Sequence, residues 1–177
     1  MIDRYWDLPD VAVFLHEGRF QWHNDNPFNG MYLLILKYRL NVSDAAISIK
    51  SLNLDFVKST GYTNLRCVWA VGCPSELEPA RYLRDRPEDP DHPTAEQFPD
   101  GFMELFPGVN VPDIVATPCC SQFAVSRKRV RDRPIDDYIR YRDWLVNTTL
   151  PTDVSGRIFE YSWHSMFLPF LARGVLI

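Results

Sequence analysis

The sequence predicts an α/β fold, a single domain over residues 1–177 with a small mixed sheet flanked by three or more helices, and three observations carry that reading. Val11-Ala12-Val13-Phe14-Leu15 is apolar at every position, the pattern of a strand covered on both faces in a parallel or mixed sheet. Gln122-Phe123-Ala124-Val125 is a second short core strand, bounded by Pro118 and Ser126, that runs directly into a helix. Several segments between and after these strands place apolar residues at helical spacing. With 177 residues, 46% hydrophobic and 14% aromatic, the chain can bury one core and not two.

Taken in order, Ile2, Tyr5 and Trp6 read as the last turn of a helix that Leu8-Pro9-Asp10 stops. After the strand ending at Leu15 comes His16-Glu17-Gly18-Arg19-Phe20-Gln21-Trp22-His23-Asn24-Asp25-Asn26, a polar run at the carboxyl end of a core strand, where open α/β sheets bind ligands. Residues 31–43 differ in texture from their surroundings. From Asp44 to Lys58, Ala45, Ile49, Leu52 and Phe56 share a helical face, with Ser43 or Asp44 as cap, and Gly61 ends the helix. Leu65 to Ala70 is the next strand.

Residues 71–112 turn to proline, acid and arginine, a long surface excursion pinned by Phe98, Phe102, Leu105 and Phe106. Ser126 suits the N-cap of a short helix over Arg127 to Arg131, and Pro134 the first position of another. In the latter, Ile135, Tyr138, Ile139, Arg142, Leu145 and Val146 share a face. Ser155-Gly156 reads as a turn. Ile158 to Phe167 is the last helix, with Phe159, Trp163, Met166 and Phe167 inward.

The net charge of -4 and the absence of a basic surplus argue against a nucleic-acid partner. No span of about 18 apolar residues exists to cross a membrane as a helix. Cys67, Cys73, Cys119 and Cys120 suit a zinc site poorly, because adjacent strand residues point to opposite faces; buried thiols and one or two disulfides stay open. Asn41-Val42-Ser43 and Asn147-Thr148-Thr149 fit the glycosylation sequon, which matters only in the secretory pathway.

Glu160 and His164, spaced i,i+4, lie on one helix face, where a carboxylate can orient an imidazole for proton transfer or metal binding. The plainer reading is a boundary pair on an amphipathic helix. His16, Glu17, His23 and Asp25 offer hard-oxygen and imidazole ligands for a divalent metal beside a phosphate, against a plain polar loop. Arg127, Lys128, Arg129, Arg131 and Arg133 would clamp phosphates at a helix start or, more commonly, form a solvated face paired with Asp132, Asp136, Asp137 and Asp143. There is no Gly-rich phosphate loop, nucleophile elbow or Cys-x-x-Cys pair.

Several blocks together resemble the fungal domain-of-unknown-function family 3431: Asp7 to His16, Asn64 to Trp69 with Gly72-Cys73-Pro74, Cys119 to Arg127, Tyr141 to Leu145, and Ser155 to His164. That family is similar, more distantly, to GT-A-type sugar-nucleotide glycosyltransferases. The resemblance implies a partial GT-A-like fold and a possible site joining His16, Glu17, Gln122, Arg127, Glu160 and His164. Glu160, His164 and Gln122 would be catalytic, Arg127 and His16 would hold the cofactor or nucleotide, and Glu17 with His164 would hold a divalent metal such as manganese. The partner would be a sugar nucleotide, and relatives with an upstream membrane anchor would suggest the secretory pathway. No Asp-x-Asp follows Leu15, and the resemblance implies an upstream strand and helix ahead of Met1, so an N-terminally truncated product is expected. The alternatives are a non-catalytic binding or scaffold domain and a metal-independent enzyme of fungal secondary metabolism. Residues 31–43 interrupt a family-like passage, and Gly30-Met31-Tyr32 is encodable with a splice-donor sequence, so a retained intron is expected there. A transcript read crossing Asn29 to Asp44 without interruption would refute it.

Overall fold

The computed structural model describes residues 1–21, 43–66, 77–118, 120–168 and 175–176. A 3-10 turn over Ile2–Arg4 opens the chain, where the sequence suggested the end of an α-helix. Its Tyr5 is buried and its Trp6 is 77% exposed. Then follow β1 (Val11–Phe14), β2 (Phe20–Gln21), β3 (Ser43–Asp44), α1 (Ala45–Lys50), α2 (Leu54–Thr60) and β4 (Tyr62–Asn64). Next come α3 (Pro79–Asp85), α4 (Pro93–Leu105), β5 (Ile114–Val115), β6 (Phe123–Ser126), α5 (Arg127–Arg131), α6 (Ile135–Asn147), α7 (Thr152–Phe167) and β7 (Val175–Leu176).

The α/β class holds, around a sheet of order β1-β6-β4. Both pairings in it are antiparallel, with Phe14 opposite Phe123 and Asn64 opposite Phe123 on the other side. Parallel pairing occurs separately, between β5 and β7. All four residues of β6 are buried, as its apolar run predicts, whereas β1 is an edge strand with Val13 37% exposed. The continuous apolar run had suggested cover on both faces. One neighbour and one packed face satisfy it instead. The strand expected over Leu65 to Ala70 is not found at its described start: β4 is Tyr62–Asn64, Leu65 and Arg66 follow it outside any strand, and Cys67 to Ala70 lie outside the described residues.

The single helix expected from Asp44 to Lys58 is two. Asp44 caps α1 through the Ala46 N–H, as expected, but Asn53 then accepts the Phe56 N–H at 3.0 Å and starts α2 afresh. A side chain that competes for backbone donors is a better cap than an interior residue. Ile49 and Phe56 consequently stay 42% and 53% exposed. Gly61 ends α2 at φ 87, and a Cβ there would stand 2.6 Å from Arg129 Nε, so the position needs glycine twice over.

The expected surface excursion holds α4, a core helix. Phe98, Phe102 and Leu105 are fully buried and Phe106 nearly so, each such side chain contributing about 1.5–3 kcal/mol. This helix packs on α7, and Gly101 permits the approach: a Cβ there would stand 3.1 Å from Ile158 and 3.2 Å from Trp144. Ser155-Gly156 makes no turn but continues α7 from Thr152. In α6 the buried residues are Tyr138 and Tyr141, while Leu145 and Val146 face outward at 43% and 74% exposure. Only part of the expected face is used, because α6 meets α4 and the N-terminal turn through Tyr138, Tyr141 and Trp144 and not through Leu145 or Val146. The proposed insert at 31–43 falls outside the described residues except for Ser43, which begins β3.

Candidate functional site at one end of the sheet

Antiparallel register decides which polar groups meet. Because Phe14 and Asn64 both lie opposite Phe123, the carboxyl ends of β1 and β4 and the amino end of β6 share one end of the sheet. His16 and Glu17 follow β1 there, Arg66 follows β4, and Cys120-Ser121-Gln122 leads into β6.

Gln122 and Arg66 are each 2% exposed. Arg66 donates through Nη2 to Gln122 Oε1 at 2.5 Å and through Nη1 to Ser48 Oγ at 3.1 Å. The Leu65 N–H donates to the Gln122 carbonyl at 2.9 Å, so the backbone sets the same pair from behind. A guanidinium this deep is retained only with hydrogen-bonded company, and its field is weakly screened.

Cys120 and Ser121 both take positive φ, 85 and 48, a turn that L residues enter at a cost of about 1–3 kcal/mol apiece. Two restraints hold it. Cys120 is disulfide-bonded, its partner lying outside the described residues, and its N–H donates to Glu160 Oε1 at 2.5 Å. The disulfide settles for Cys120 what the sequence left open. Glu160 Oε2 lies 3.8 Å from Arg157, one turn back on α7.

His164, one turn on from Glu160, is turned into the core at 2% exposure. Neither ring nitrogen has a hydrogen-bond partner, and burial lowers its pKa to about 4. The i,i+4 spacing is therefore realised without the pair it suggested. Among the described residues no three His, Cys, Asp or Glu side chains gather to hold a metal ion. Glu17 is exposed and His164 is not, so these two do not fit a metal centre there, and His23 and Asp25 lie outside the described residues. Arg127 is elsewhere. It follows β6, at the opposite end of the sheet, where its N–H meets the Asp10 carbonyl at 2.9 Å and its side chain the Asp10 carboxylate at 2.5 Å.

A family profile described as protein of unknown function (DUF3431) matches residues 1–170. The chain belongs to this family. No curated protein and no solved structure matches it. On the DUF3431 chain, the structure thus joins Gln122 and Glu160 through one turn, sets His16 and Glu17 at the same sheet end, and leaves His164 and Arg127 out. Sequence reasoning missed Arg66 and Ser48 as members. The available signal was a lone arginine inside the otherwise apolar run Leu65 to Ala70.

Proposed function

We propose that this chain is a glycosyltransferase-like protein whose sugar-nucleotide site is the sheet end holding Arg66, Gln122, Glu160, His16 and Glu17. The observation that carries the reading is the buried Arg66–Gln122 bond beside a turn whose backbone is fastened to Glu160. In such a transfer an acceptor hydroxyl attacks the anomeric carbon, the bond from that carbon to the diphosphate oxygen breaks, and the nucleoside diphosphate leaves with its negative charge. Arg66 acts as a positioning residue: it fixes Gln122 Oε1, directs the amide nitrogen to donate, and gives this end of the sheet a positive field for the departing diphosphate. Glu160 accepts the acceptor's proton at Oε2, since Oε1 already takes the Cys120 N–H. His16 and Glu17, both exposed on the loop after β1, orient the sugar.

A second reading has its own support. The same polar groups satisfy one another, Arg66 with Gln122 and Ser48, Glu160 with the Cys120 N–H, as in a non-catalytic binding or scaffold domain. Thermal unfolding with a panel of nucleotide sugars separates the two. A ligand at a hundred times its dissociation constant adds about 2.7 kcal/mol. The transferase reading expects one sugar nucleotide to raise the melting temperature, and Glu160→Gln to keep that shift while losing transfer. No shift from any nucleotide sugar on a cooperatively folding chain would leave the scaffold reading.

A further inference from the structure

At the far end of the sheet a shallow cleft of about 640 Å³ is lined by Asp10, Lys58, Ser126, Arg127, Lys128, Arg131 and Asp132. Four cations face two carboxylates in its lining, with Asp55 3.7 Å from Lys58 beside it, on a chain whose formal net charge is -4. Local charge thus runs against the charge of the whole. Lys58, Lys128 and Arg131 are exposed, and Arg127 remains 40% exposed even with Asp10 beside it.

The rim is apolar. Arg131 donates through Nη2 to the Trp6 carbonyl at 2.7 Å, which sets Trp6 at the edge of the cleft, and Trp6 is 77% exposed. Leu54 lies one helical turn before Lys58 on α2, hence on the same face, and is 49% exposed. An indole held outward beside lysines and arginines is the combination that seats in the headgroup layer of an anionic bilayer: tryptophan prefers that depth, and basic side chains meet the phosphates.

We infer that this cleft, with Trp6 and Leu54 at its rim, is a peripheral docking surface for anionic phospholipid membranes. Charge complementarity names the occupant, and the exposed Trp6 and Leu54 distinguish a lipid surface from a soluble phosphate, which would leave them in water. The orientation that follows turns the cationic end of the sheet to the bilayer and the Gln122 end away from it.

The test is sedimentation of the whole chain with vesicles of phosphatidylcholine alone and of phosphatidylcholine mixed equally with phosphatidylserine. The chain should partition onto the mixed vesicles only, and less as salt is raised. Lys58→Ala with Lys128→Ala should weaken partitioning about 30-fold, each charge near the surface accounting for about fivefold. Both side chains are exposed, so the variant should melt like the parent. Trp6→Ala should weaken binding without changing its salt dependence. Equal partitioning onto neutral vesicles, no partitioning at low salt, or unchanged partitioning in both variants would overturn the inference. So would displacement from vesicles by inorganic phosphate alone together with stabilisation of the chain by it, which would make the cleft a soluble-phosphate site.

Discussion

At the end of the sheet where β6 begins, Arg66 donates to Gln122 over 2.5 Å with both residues 2% exposed. Where β6 finishes, Arg127 donates to Asp10 over the same 2.5 Å, with side chains 40% and 70% exposed. Equal distances conceal unequal energetics. In the first case water cannot replace a lost partner, so breaking the bond costs a buried polar group one of its hydrogen bonds without replacement. In the second, solvent screens the pair and takes its place, and such pairs contribute at most about 1 kcal/mol. The buried end is fixed and suited to holding geometry. The exposed end is free to exchange partners and suited to meeting a surface.

The contrast can be broken in four places. The largest effect is expected at Cys120, because Cys120→Ala removes the disulfide and frees a turn at positive φ. Stability should fall by about 2–5 kcal/mol, read from the urea midpoint, and a loss below about 1 kcal/mol would mean that the disulfide contributes little to holding the turn.

The next concerns His164 on α7, the helix that also carries Glu160. Its pKa falls from 6.5 to about 4 on folding, through burial. The unfolded imidazole takes up a proton below 6.5 and the folded one only below about 4, so stability falls as pH falls across that window, by about 3 kcal/mol in total. Asp44, Asp85 and Asp89, whose pKa values hydrogen-bonded partners hold below 3.8, lose their contributions only beneath the window. Denaturant melts at intervals from pH 7 to pH 4 should show the slope in the parent and not in His164→Leu. The same slope in both would remove the histidine as its cause.

Gln122→Leu keeps volume and removes one acceptor from the buried Arg66 guanidinium, with an expected cost of about 1–3 kcal/mol. Arg127→Ala should cost less than about 1 kcal/mol and lose part of that in high salt. Comparable losses for these two variants would erase the difference between the ends.

Much of the fold was legible in local chemistry. Ser126 accepts the Arg129 N–H as a cap, Pro134 precedes α6, Gly61 closes α2, and the apolar runs of β1 and β6 are strands. Misreadings arose where a competing local signal or a distant surface decided. Asn53 split one helical period into two helices, and Gly156 sits inside a helix because the residues on either side of it, Val154, Ser155, Ile158 and Phe159, are buried on one helix face. The candidate site was half legible. Gln122 and Glu160 stood out as polar residues in apolar or helical settings, but nothing local said that the Cys120 N–H would join them.

The sequence by itself determined where elements start and stop, since capping, proline and glycine effects act over four or five residues, and it determined that Phe98, Phe102, Leu105 and Phe123 would be interior. Only the tertiary structure decided the rest. The antiparallel register of β1, β6 and β4 set Arg66, Gln122 and the loop after β1 at one end and Arg127 at the other, although Gln122 and Arg127 are five residues apart. A strand carries its two ends away from each other by its length, and which neighbours meet each end depends on pairing between segments far apart in the chain.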